Sequence, residues 1–292
     1  MRSPRSRSVA LAGSIVSVVL VATVGATPGS PFQPVLPAAA QPWGPFRWLA
    51  GLTAIDALGD GALVAVAVFA MAFAAVAFVF VLREAWRGTI SPQLVIGLAV
   101  AYHVVVLLLP LLFSRDVYSY AYYGRIAGIR HANPYVATPS DYPNDALWLY
   151  VGPRWVDTPA VYGPVFTMLS SLVVRIFDNV TALIVAFRLI AAAASLATIA
   201  IVVKVVRDVR PGREAFAVAL IGLNPVVLFQ SVASGHNDLL VALSVAGGVA
   251  LVFARRDLLA TAVLALGALV KATAAVPLLL LIVAAAARSE PG

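Results

Sequence analysis

Apolar residues in this chain come in long unbroken blocks, and polar residues are confined to the gaps between them. Blocks at residues 9–26, 62–82 and 181–203, and one from Gln93 or Leu94 to Phe113, are long enough to cross a hydrocarbon core of roughly 30 Å as helices. Residues 215–232 predict a fifth span. The blocks at 239–254, 258–270 and 277–287 are shorter and predict tilted or partly inserted helices. Pro110 is expected to kink the third span, and His103 within it to hydrogen bond between helices.

Charge gives these blocks a direction. Arg2, Arg5 and Arg7 precede the first block, and Arg83 and Arg87 follow the second. Lys204, Arg207, Arg210 and Arg213 follow the fourth, and Arg255 and Arg256 come later. The positive-inside tendency puts all of these in the cytoplasm. The first block resembles a signal peptide but is read as a retained anchor. Residues 27–61 then form an outer loop, with Trp43 and Trp48 at the interface. Residues 165–177 are apolar, short and carry Arg175. Were they a span, the Lys204 to Arg213 cluster would lie outside. A helix along the outer interface, with Arg175 reaching the headgroups, removes that conflict. The outer segment then covers 114–180. The expected fold is an all-α polytopic membrane protein, with residues 1–292 as a single transmembrane domain. The chain reads like the front part of a longer architecture.

Composition narrows the function classes. At 62% hydrophobic, 11% charged and mean hydropathy +0.96, the chain is not a soluble globular protein. The net charge of +7 is dispersed over helix ends, which suits membrane lipids rather than nucleic acid. There is no cysteine, and the three histidines at 103, 131 and 236 argue against a zinc site. No cofactor is expected, and no metal site is assigned. Gly247 and Gly248 suit helix packing rather than a phosphate loop.

The polar interval at 114–164 concentrates carboxylates, arginines, aromatics and turn formers. Asp116, directly after the third block, is either a general base at the membrane lip or half of an ion pair with Arg115. One carboxylate suffices as base if the sugar donor carries a phosphate leaving group, and attack from the opposite face inverts the linkage. No second carboxylate stands at a glycosidase-like interval, which disfavours hydrolysis. Tyr118 suits a sugar face, while Tyr122 and Tyr123 read as an interfacial aromatic belt. Arg125 and Arg130 are headgroup anchors or phosphate clamps. Asn133-Pro134-Tyr135 and Tyr162-Gly163-Pro164 are turns first, with Tyr162 kept as a substrate contact. Asp145 is expected to be a neutral bystander. His236, Asn237 and Asp238 are a helix start or a phosphate site, and Lys271 a snorkelling or phosphate-binding cation. The predicted topology puts Asp116, His236, Asn237, Asp238 and Lys271 on one outer face.

Ser114-Arg115-Asp116-Val117-Tyr118-Ser119-Tyr120, Gly124-Arg125, Asn133-Pro134-Tyr135 and Trp155 leading to Thr158-Pro159 and Tyr162-Gly163-Pro164 carry a resemblance. So do Asn224-Pro225, Gly235-His236-Asn237-Asp238 and Leu269-Val270-Lys271. Together they resemble actinobacterial polyprenol-phosphomannose-dependent α-1,6-mannosyltransferases, membrane enzymes of the GT-C class. The resemblance implies a GT-C-like transmembrane helix bundle whose large first outer loop, about 114–180, is catalytic and contains an interfacial helix. It implies transfer of mannose from a polyprenyl-phosphate sugar donor to a glycolipid or glycan acceptor, in lipomannan biosynthesis. Asp116 occupies the place of the class's acidic base, while members are usually longer. Two rivals stand beside it. A transporter or flippase for lipid-linked saccharide would need ionisable residues within spans, where Arg188 is the main example. The third reading is an inactive scaffold fragment.

Overall fold

A computed structural model describes residues 4–36 and 47–289. Arg2 and Trp43 lie outside the described residues, as does much of the Pro-rich part of 27–61. Every regular element among the described residues is helical. The order is α1 (Pro4–Ala26), α2 (Arg47–Thr53), α3 (Asp60–Trp86), α4 (Pro92–Leu107), α5 (Asp116–Gly128), α6 (Pro164–Ile176) and α7 (Val180–Val209). Then come α8 (Glu214–Gly222), a π-helical segment (Val226–Val232), α9 (Asp238–Phe253), α10 (Asp257–Val270) and α11 (Ala275–Ser289). Helices α1, α3 and α7 are long and apolar enough to cross a membrane. The chain is an all-helical membrane protein.

It divides into two compact units. The first holds residues 1–114 and 206–234. There α1 packs along α3, with Gly13 against Ala77, and Ser14 hydrogen bonds Tyr102 of α4 at 3.0 Å. Buried Glu84 closes the end of α3 by accepting from Arg87 at 3.0 Å and Thr89 at 2.9 Å. His103 bonds the Ala99 carbonyl of its own helix at 2.7 Å, one turn back.

Two expected spans differ from the structure. The third stops at Leu107, so Pro110 does not kink it. Proline disfavours α geometry in the residue before it, so the helix ends short of that point. Asp116 consequently follows an irregular stretch, in which Phe113 has φ +60°, and not the helix itself. The span expected at 215–232 is broken at Asn224-Pro225, where its two halves bend by 42°. Pro225 has no N–H to continue the ladder, and the Asn224 side chain takes the Val226 amide instead, at 2.9 Å.

The second unit holds residues 115–205 and 235–292. It contains α5, α6, most of α7 and α9 to α11. The 114–180 segment, expected as a loop, opens with the helix α5, buried almost throughout. Its tyrosines and two glycines are weak helix formers, so the sequence conceals it. α6 matches the expected amphipathic helix. It buries Phe166, Thr167, Ser170, Val173 and Val174 and exposes Met168, Leu172 and Ile176 on the other side.

Candidate functional site

Helix α5 is fixed by close contact with α6. A Cβ on Gly124 would stand 2.6 Å from the Ser170 carbonyl oxygen, and one on Gly128 3.0 Å from that of Ser171. Only glycine allows this approach, the small-residue seam of packed membrane helices. Asp116 lies in the first turn of α5, where a carboxylate complements the partial positive charge of the N-terminus. Its side chain is 38% exposed.

Two other segments reach Asp116. The first is the turn into α9. Gly235 there has φ +69°, and a Cβ would lie 3.2 Å from Arg188 Cγ on α7. Glycine is therefore required both for the left-handed turn and for the close pass. His236, Asn237 and Asp238 follow. Asn237 holds the cap position, but its side chain makes no capping bond. Both of its side-chain amide atoms are buried without a hydrogen-bond partner. The second segment is the end of α10. Gly163 N donates to the Val270 carbonyl at 2.9 Å, and a Cβ on Gly163 would fall 2.0 Å from the Leu269 oxygen. The Tyr162-Gly163-Pro164 turn thus lies directly on the strand of chain carrying Lys271.

These segments assemble a row of charged groups. His236 Nε2 stands 4.0 Å from Asp116 Oδ2, and His236 Nδ1 stands 3.7 Å from Asp238 Oδ2. Lys271 Nζ donates to Asp238 Oδ1 at 2.7 Å. The neighbouring His236 imidazole, then the Lys271 ammonium, hold the Asp238 carboxyl down at about 2 against the opposing effect of partial burial. Tyr120 and Tyr162 flank the row, their rings edge to face with centroids 4.8 Å apart. The Tyr120 hydroxyl is within reach of the Asn237 backbone N–H, which donates to it, and of the Tyr162 hydroxyl. Burial first, and then the Asp116 charge, raise the Tyr162 phenol far above its ordinary value. Among the described residues no three or more His, Asp or Glu side chains are grouped to hold a metal ion.

Other candidates lie elsewhere. Tyr118 is buried against Tyr150, with ring centroids 4.9 Å apart, and Arg115 lies beside Tyr118 and Gly152. Arg125 pairs with Asp145 Oδ2 at 3.2 Å, and Arg130 donates to the same oxygen at 2.6 Å. Asp145 is therefore no bystander. Its side chain is 1% exposed, and its other oxygen accepts the Leu147 amide at 3.0 Å. Nor do Tyr122 and Tyr123 form an interfacial belt. Both are buried and donate to loop carbonyls, Tyr122 to Tyr142 at 2.6 Å and Tyr123 to Thr158 at 2.8 Å. Sequence reasoning passed over Tyr120. Its spacing of i+4 from Asp116 was the available signal, once α5 is known to be a helix.

The family model described as alpha-(1->6)-mannopyranosyltransferase, N-terminal domain, matches residues 8–287. Alpha-(1->6)-mannopyranosyltransferase A of Corynebacterium glutamicum is 29% identical over 179 residues, covering 59% of this chain and 36% of that protein. Its counterpart in Mycobacterium tuberculosis is 30% identical over 213 residues, covering 68% of this chain and 40% of that protein. The chain thus spans well under half the length of these curated relatives. No solved structure gives a significant match. On a match that runs nearly from end to end, the chain belongs to the alpha-(1->6)-mannopyranosyltransferase family, in its N-terminal domain.

Proposed function

We propose that this chain transfers mannose from a polyprenyl-phosphate donor to a glycolipid or glycan acceptor, on the extracytoplasmic face of the plasma membrane and with inversion. Asp116 acts as the general base on the acceptor hydroxyl. The fold is then GT-C-like and multi-pass. The observation that carries the reading is the convergence of Asp116, His236, Asp238 and Lys271 from three separate stretches of chain. A half-exposed carboxylate, an ammonium group and a helix N-terminus supply a base and anion-binding groups side by side. Lys271 and the first amides of α9 meet the donor phosphate, and Tyr162, beside Asp116, meets the sugar. Arg125, committed with Arg130 to Asp145, shapes the loop. The exposed apolar stripe of α6 supports its place along the outer interface.

The test is mannose transfer from a polyprenyl-phosphate donor to a mannan-type acceptor by the chain in membranes. Asp116→Asn keeps shape and hydrogen bonding but removes the proton acceptor. Turnover falls by roughly 10²- to 10⁴-fold while donor binding persists. Asp157→Asn, at an exposed position of the same segment, is the control. Turnover in Asp116→Asn equal to that of the unmutated chain refutes the base. No transfer by the folded, unmutated chain refutes the activity.

A further inference from the structure

His236 lies between two carboxylates, Asp116 and Asp238. Its Nδ1 faces Asp238 Oδ2 at 3.7 Å, and Asp238 is anchored in turn by Lys271 at 2.7 Å. The tautomer with its proton on Nδ1 turns that N–H toward Asp238 and the Nε2 lone pair toward Asp116. That Nε2 is buried, has no hydrogen-bond partner, and stands 4.0 Å from Asp116 Oδ2. The gap is about 1 Å longer than a hydrogen bond, and catalytic contacts of this kind often close only with substrate bound. An imidazole whose far nitrogen faces one carboxylate, and whose near nitrogen faces a second reacting group, is arranged as a proton carrier.

We propose that His236 is the proton relay that regenerates Asp116, with Asp238 as its positioning residue. This rests on the reading of Asp116 as base. The acceptor O–H bond breaks as its oxygen bonds the anomeric carbon, and the bond from that carbon to the donor phosphate oxygen breaks with its electron pair on phosphate. The proton goes to Asp116 Oδ2 and then to His236 Nε2, which restores the carboxylate. The resulting imidazolium is stabilised between Asp116 and Asp238. It gives up its Nδ1 proton to water by way of Asp238, whose side chain is 47% exposed, and tautomer exchange of the neutral ring returns the remaining proton from Nε2 to Nδ1.

The experiment uses the full chain in lipid vesicles and reads turnover at saturating donor, donor affinity and rescue by added imidazole. His236→Gln fills the site without carrying a proton, so turnover falls by roughly 10²-fold with donor affinity within about twofold. His236→Ala loses as much, and free imidazole restores tenfold or more, on the order of 1.4 kcal/mol. Weakened donor affinity with unchanged saturated turnover would make His236 a phosphate contact and overturn the relay. So would a failure of imidazole to rescue His236→Ala. Asp116→Asn, run in parallel, separates the two ideas. Normal turnover in that variant sinks the base itself. Loss there with normal turnover in His236→Gln sinks the relay alone.

Discussion

Asp145→Asn removes one negative charge from a carboxylate shared by two arginines. The Asp145 side chain is 1% exposed, and those of Arg125 and Arg130 are 22% and 32% exposed. The amide keeps a carbonyl oxygen for the Leu147 N–H, so the local turn survives. What is lost is the compensation of two guanidinium groups held about a common point. Breaking a buried pair by removing one partner costs roughly 3–5 kcal/mol, and the partial exposure of both arginines lowers this to about 2–3 kcal/mol. At about 2–4 °C per kcal/mol for a chain of this size, the apparent Tm falls by roughly 4–12 °C. The assay is thermal unfolding of the purified protein in one detergent and one salt concentration, beside Asp157→Asn. Added salt narrows the difference only slightly, because buried pairs are weakly screened. A Tm equal to that of Asp157→Asn would show that the cluster contributes nothing to the stability of the 114–180 segment.

Lys271→Ala should weaken donor binding by about tenfold or more, the loss of a charge-assisted contact of roughly 1.5–3 kcal/mol, and affect acceptor less. Unchanged donor affinity would return Lys271 to being a partner of Asp238 alone. For topology, single cysteines at positions 141 and 210 enter a chain that has none. An impermeant thiol reagent outside intact cells should label Asp141→Cys and spare Arg210→Cys, and labelling at position 210 refutes the orientation.

The helices were legible where burial in lipid and in protein impose one pattern. The blocks at 9–26, 62–82 and 181–203 became α1, α3 and α7, each extended by a few residues at polar ends. The failures have backbone causes. Hydropathy runs straight through Pro110 and Asn224-Pro225, because both lie in apolar surroundings, yet the missing N–H and the restricted residue before proline end or bend the helix. α5 failed the opposite way. Its apolar faces are supplied by tyrosines whose hydroxyls bond the loop wrapped around them, so it looks polar in sequence and is buried in fact. The same cause hid Asp145: one aspartate among several in a polar interval carries no sign that two arginines, fifteen and twenty residues before it, converge on it.

The site residues were legible as a set because ionisable groups beside apolar blocks are rare, but their contacts were not. Those contacts are set by glycines, not by the charged side chains themselves. Gly124 and Gly128 seat α5 on α6, Gly163 seats the Tyr162 turn on the end of α10, and Gly235 turns the chain past Arg188 into α9. A Cβ at Gly163 would meet backbone, which has no rotamer to yield, so that frame is rigid where it matters. The charged groups it carries are partly exposed, with Asp116 at 38% and Lys271 at 32%. A change at Asp116 or His236 therefore alters chemistry without removing the contacts that hold the segments together. A change at Asp145 does the reverse. That division is why loss of transfer in Asp116→Asn, beside intact donor binding, can be assigned to the missing proton acceptor rather than to a collapsed loop.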